Sequence, residues 1–260
     1  MRYNVLVEIG DGIDTMVLEK IREEIKMERN ISLNEISDGK LYDLNDLVKV
    51  GCNDCKGCFA CCQGMGNSII LDPLDIYRLL INLNTFQELL ADKIELNIVD
   101  GIIMPNLKMI GSSERCSFLN SEGRCGIHAF RPGICRLFPL GRFYENDAFK
   151  YFLQVYECKK ENKTKIKVRK WIDTPDLKNN ERFVIDWHYF LKDLQNIIKS
   201  TQDDKMIKDI NMYILNNFYI KPYDTNIDFY IQFNERLREA KEFVALDIGE
   251  NQIPIGIPRQ

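Results

Sequence analysis

Histidine is nearly missing from this chain: its 260 residues include two, His128 and His188. No Ser-His-Asp arrangement can be argued from so few. His188, beside Trp187 on a helical pattern, reads as a structural histidine, and His128 as a packing or hydrogen-bonding residue rather than a ligand. A phosphate-binding glycine loop is lacking too, since Gly64-Met65-Gly66 has neither the lysine nor the strand-turn-helix context. No apolar run approaches the roughly 18 residues of a spanning helix. The first residues, Met-Arg-Tyr-Asn-Val-Leu-Val-Glu-Ile, lack the apolar centre of a signal peptide, which points to the cytoplasm. A net charge of −4 exerts no global pull toward nucleic acid or an anionic membrane. Internal repeats and low-complexity tracts are absent as well.

Cysteine is abundant instead. There are nine, and five crowd into Cys52-Asn-Asp-Cys55-Lys-Gly-Cys58-Phe-Ala-Cys61-Cys62, with Cys116, Cys125, Cys135 and Cys158 following singly. Core packing does not ask for a cysteine every third residue. Thiolates at that spacing in a glycine-bearing turn can converge on one centre, which is what a metal demands. An odd count, a 30.5 kDa chain and a reducing compartment weigh against a disulfide framework. A thioredoxin-like exchange needs two cysteines, not overlapping candidates. Metal binding is the expectation.

The rest of the chain reads as α+β: an irregular cysteine-ligated metal core with short β-hairpins, surrounded by helices and followed by a helical C-terminal region. Residues 1–50 read as a strand-helix extension, with a strand at Tyr3–Ile9, a helix over Met16–Arg29 and a second strand near Ser32–Ile36. Residues 51–172 are the cysteine-bearing domain. Asp72 and Pro73 are a strong helix start, better explained as a cap than as half of an acid–base pair with Asp75. A further helix is expected over Thr85–Lys93. Hairpins are expected around Asp100-Gly101 and Glu145-Asn146-Asp147, and a turn at Asn120–Gly123. Lys163, Lys165, Lys167 and Arg169 alternate as one strand face would. Residues 173–260 carry helical patterns from Thr174-Pro175 onward, near Asp204–Asn217, and over Ile227–Ala245. A protein partner would meet this helical region or the N-terminal extension.

Within the cysteine run, Cys55-Lys-Gly-Cys58 is a plausible ligand knuckle. Cys61 and Cys62 would diverge if extended, so they are not expected to be equivalent ligands of one ion. Four thiolates leave either Zn²⁺ or a [4Fe–4S]²⁺ cluster with net negative charge, so a nearby cation stabilises the site. Arg136, between Cys135 and Leu137-Phe138, is the best candidate for that cofactor-binding role. The spacing favours an iron–sulfur cluster, as [4Fe–4S], over zinc. One compact run with remote partners is unlike the paired knuckles of structural zinc sites. One or two centres are compatible with the count.

These motifs carry a resemblance. Cys55-x-x-Cys58-x-x-Cys61-Cys62 with Ile69-x-Leu71-x-Pro73-x-Asp75, then Cys116-x-Phe-Leu, Cys125-x-Ile-His and Arg131-Pro-x-x-Cys135-Arg-x-Phe-Pro139, resembles the CxxCxxCC cysteine-cluster family (YkgJ type). That family is described as zinc- or iron-chelating. The resemblance spans roughly residues 52–158 and implies Cys55, Cys58, Cys61, Cys62, Cys116, Cys125, Cys135 and Cys158 as ligands, with Cys52 outside the motif. The flagellin lysine N-methylases are more distantly similar and imply an alternative, an iron–sulfur and S-adenosylmethionine-dependent modifying enzyme.

Overall fold

In the computed structural model, residues 13–26, 32–52, 58–83 and 85–251 are described, the last five of them by backbone alone. The strand expected at Tyr3–Ile9 therefore lies outside the described residues, as does Cys55. Helices alternate with short antiparallel strands, so the α+β expectation holds.

Helix α1 (Thr15–Lys26) buries Val17, Leu18 and Ile21 and leaves Met16 53% exposed. The strand expected near Ser32–Ile36 is instead a short helix, α2 (Leu33–Ile36). The amide of Glu35 donates to the Ser32 carbonyl at 3.0 Å, closing a helical turn before extended chain begins at β1 (Ser37–Tyr42). After β2 (Leu47–Gly51) and the cysteine turn comes α3 (Pro73–Asn82). Its start is a reciprocal cap. Asp72 accepts from the Asp75 amide at 2.8 Å, Asp75 accepts from the Asp72 amide, and Pro73 occupies the first turn. Thr85 and Glu88 build the same device for α4 (Phe86–Asp92).

The hairpin of β3 (Ile94–Val99) and β4 (Ile102–Leu107) closes through Asp100 (φ 48°) and Gly101 (φ 87°), the double positive φ of the turn type that matches strand twist. Pro105 sits opposite Leu96, and its carbonyl accepts from the Leu71 amide at 2.9 Å. β5 (Met109–Ile110) pairs with β6 (Arg115–Cys116), and α5 (Gly133–Leu137) carries Cys135. β7 (Leu140–Glu145) and β8 (Ala148–Gln154) join β1 in the order β1-β8-β7, while β9 (Thr164–Lys167) pairs with β2. β9 holds Lys165 and Lys167 but begins after Lys163, and α6 (Val168–Ile172) takes over at residue 168, so neither Lys163 nor Arg169 belongs to that strand.

Helix α7 (Leu177–Ser200) begins later than Thr174-Pro175 suggests. Asp173 (φ 42°) and Asp176 (φ 47°) are both left-handed, which interrupts any helix between them, and the Thr174 hydroxyl donates to the Ile172 carbonyl rather than capping. α8 (Asp204–Ile214) continues as a π-helical stretch, Leu215–Ile220, before α9 (Phe229–Asn251).

Two apolar clusters organise these elements. The larger unites α1, α3, α4 and the β3–β4 hairpin with Phe183, Trp187, Phe218 and Phe233 of the C-terminal helices. The smaller joins Val48, Val50, Leu137, Leu140, Tyr151 and Val168 beneath the sheets. Among the described residues, no helix is long and apolar enough to cross a membrane.

Candidate metal centre

Where the two clusters meet lies a cavity of about 950 Å³. Main-chain bonds from separate segments bring the cysteines to it. Cys61 and Cys62 lie in a tight turn, Ala60–Cys62, in which the Cys62 amide donates to the Phe59 carbonyl at 2.9 Å. That turn is tied to the chain before Cys116: Gln63 bridges Arg115, and the Gly64 amide donates to the Glu114 carbonyl at 3.0 Å. Cys125 is delivered by the bridge Leu119–Cys125 and by the Gly126 amide, which donates to the Phe118 carbonyl at 2.8 Å. The loop between these arms needs glycine at 123. Its φ is +70°, and a Cβ there would come within 2.8 Å of the Phe59 ring beside the cysteine turn. Cys135 is held by α5, whose first amide, Gly133, donates to Asp75 on α3 at 2.8 Å.

Cys58, Cys61, Cys62, Cys116, Cys125 and Cys135 all line the cavity. Cys158, past the end of β8, does not line it; its carbonyl accepts from Lys163 Nζ at 2.9 Å. These seven are free thiols. Cys61 and Cys62 do not diverge as extended neighbours would, because the tight turn lets the Cys62 thiol donate to Cys61.

The thiols are not equivalent. That hydrogen bond, helped by the Arg131 guanidinium, lowers Cys61 to about 7 against the opposing effect of burial. The same bond pushes Cys62 strongly upward, with burial adding to it. Burial raises Cys116 and Cys125, and raises Cys135 furthest, with Asp75 and the other sulfurs adding to it. A metal taken up here must displace protons that a low-dielectric setting holds in place.

The donor set suits a thiophilic metal. Soft thiols gather on one cavity, and Arg131 lies near Cys61 and Cys125 with its Nε buried and lacking an acceptor among the described residues. Its guanidinium also hydrogen-bonds His128. Yet among the described residues no three Cys, His, Asp or Glu side chains are close enough to hold one ion. The thiols share a cavity without forming a ready ligand shell.

Residues 54–169 match the CxxCxxCC family, described as "Putative zinc- or iron-chelating domain". They form a CxxCxxCC domain. The comparisons with curated proteins and with solved structures found no match. Cys52 falls just before the CxxCxxCC domain, and α7, α8 and α9 follow it. The family description supports metal binding by this segment in the coarse sense of zinc or iron.

Arg136 does not line the cavity of the CxxCxxCC domain. The residue is 7% exposed, and its guanidinium donates to the carbonyls of Arg131 (3.3 Å), Asp173 (2.9 Å) and Ala129 (2.6 Å). It clamps the 129–136 loop to the end of α6, and Arg124, Arg131 and Arg142 are the arginines at the cavity wall. Arg136→Lys should destabilise the protein by about 2–3 kcal/mol, since one ammonium cannot span carbonyls presented to a planar fork. Urea unfolding followed by far-ultraviolet circular dichroism would measure this. An unchanged midpoint would refute the clamp.

Other cavity residues escape a sequence reading. The caps Asp72 and Asp75 also line the cavity, and burial drives both carboxyls upward, Asp75 to about 8. The cap itself was legible; the 58-residue separation of Asp75 from Gly133 left no local sign of the second contact. His188 stacks on Tyr144 at 3.5 Å between ring centroids and also faces the cavity. No spacing could have paired residues so distant in the chain.

Proposed function

We propose that the protein binds metal through cysteine thiolates in its CxxCxxCC domain, as an iron–sulfur centre in preference to zinc. The observation that carries this reading is the gathering of Cys58, Cys61, Cys62, Cys116, Cys125 and Cys135 on one cavity, with the unpartnered Nε of Arg131 in its wall. Cys55 completes the run as the partner of Cys58. Cys158 is left out of the proposed shell because it does not line the cavity. The preference for iron–sulfur rests on a compact run combined with isolated remote cysteines, and on the apolar, largely buried setting of the remote thiols. Arg131 would offset the negative charge that four thiolates leave on either centre. The bound centre would supply electron transfer if iron–sulfur, or a structural crosslink if zinc.

Purification without oxygen, followed by iron, zinc and sulfide analysis and an ultraviolet–visible spectrum, tests the reading. A brown protein with iron and sulfide in equal amounts is expected. Stoichiometric zinc in a colourless protein would overturn the iron–sulfur preference, and the absence of both metals would overturn the function.

A further inference from the structure

The cavity exceeds what a metal centre needs, and part of its wall is built by residues outside the CxxCxxCC domain. Arg142 and Tyr144 stand two apart on β7 and so share one face of the strand. His188 and Lys192 stand four apart on α7 and so share one face of the helix. The stacked rings of Tyr144 and His188 hold these two faces together, and all four side chains line the cavity.

Arg142 and Lys192 bring positive charge to this wall. Arg142 Nε is buried without an acceptor among the described residues, and the guanidinium lies over the Phe149 ring at 5.3 Å. Neither Arg142 nor Lys192 makes an ion pair among the described residues. The carboxylates that bear on Arg142 are Asp72 and Glu181, and burial pushes both toward their neutral forms. His188 is lowered to about 4, by burial first and then by Lys192 and Arg142. Arg142, His188 and Lys192 thus face one cavity, and among the described residues its carboxylates Asp72, Asp75, Asp100 and Glu157 make no ion pair with them. Next to them the wall turns apolar, with Leu140, Trp187 and Leu191 leading toward Ile134 and Met104.

We infer that this part of the cavity binds a small organic anion, its carboxylate or phosphate held by Arg142, His188 and Lys192 and its apolar body lying against Leu140, Trp187 and Leu191. The volume, about 950 Å³, falls within the range of small-molecule sites, and convergent polar groups in an apolar pocket are what orient such ligands. The site goes beyond metal binding: α7 contributes two of the three anion-binding groups and none of the proposed metal ligands. The anion would lie in the same cavity as the thiols, so a bound molecule would have access to the metal centre.

Calorimetric titration of the purified, metal-loaded protein with octanoate, octyl phosphate and uncharged octanol tests this, with metal content measured in every sample. The acids are expected to bind at least tenfold more tightly than octanol. Arg142→Gln and Lys192→Gln should each remove most of that advantage while leaving octanol affinity and metal content unchanged. Binding of octanoate should also raise the titration midpoint of the His188 ring in proton NMR by about one pH unit, as an adjacent anion favours imidazolium. Equal affinity for acid and alcohol, or an unchanged advantage in Lys192→Gln, would overturn the anion site. Loss of metal with intact octanoate binding would count against the metal reading alone.

Discussion

Cys61→Ser is expected to strip most of the bound metal, while Cys158→Ser leaves it in place. Cys61 is the thiol best prepared to ionise. Its neighbour Cys62 donates a hydrogen bond to it and Arg131 lies close, so it reaches about 7 while Cys116, Cys125 and Cys135 are held up by burial. A metal entering the cavity would meet its first thiolate at Cys61, and its charge would favour loss of protons from the other thiols. Serine keeps the volume but replaces a soft anionic ligand with a hydroxyl that stays protonated. For a structural zinc site of about 10–16 kcal/mol shared among four thiolates, losing one amounts to about 3 kcal/mol or a roughly hundredfold weaker site. Cys158 does not line the cavity, so its loss should not register. Metal analysis of both variants after dialysis against a weak chelator would decide the matter, and equal retention would sink the assignment of Cys61.

Asn211→Leu should lower stability by about 3 kcal/mol. Asn211 is fully buried on α8 and does not line the cavity. Its Oδ1 accepts from the Ile103 amide at 2.7 Å, and its Nδ2 donates to the carbonyls of Gly101 (3.3 Å) and Ile207 (3.0 Å). One side chain thus fastens the β3–β4 hairpin to the C-terminal helices. Leucine matches its size but leaves the Ile103 amide and Gly101 carbonyl buried and unpaired, at about 1–3 kcal/mol for each group. For a chain of this size that shift corresponds to roughly 6–12 °C in the melting temperature. Differential scanning calorimetry would read it, and a change under 2 °C, about the smallest clear effect, would refute the account.

Local chemistry was legible before any tertiary contact. The Asp72-Pro73 cap, the Thr85 helix, the Asp100-Gly101 hairpin and the Asn146-Asp147 turn each depend on residues within a few positions of one another. The failures share one cause. The strand expected at Ser32–Ile36 and the helix start expected at Thr174 turned on single backbone angles and carbonyl choices that no residue type dictates. Arg136 looked like a cofactor residue because it follows Cys135, but its guanidinium reaches Asp173, 37 residues away.

The sequence by itself determined the likeness of residues 54–169 to the CxxCxxCC family, because thiols at three-residue spacing followed by fixed later motifs are read from composition and order alone. Which thiols face one cavity, which is the most acidic, and which arginines stand beside them were decided only by the tertiary structure. Those properties depend on burial and on through-space charge, and both are set by segments remote in the chain. Asp75 holding Gly133, Gln63 bridging Arg115 and Tyr144 stacked on His188 are the contacts that set them here.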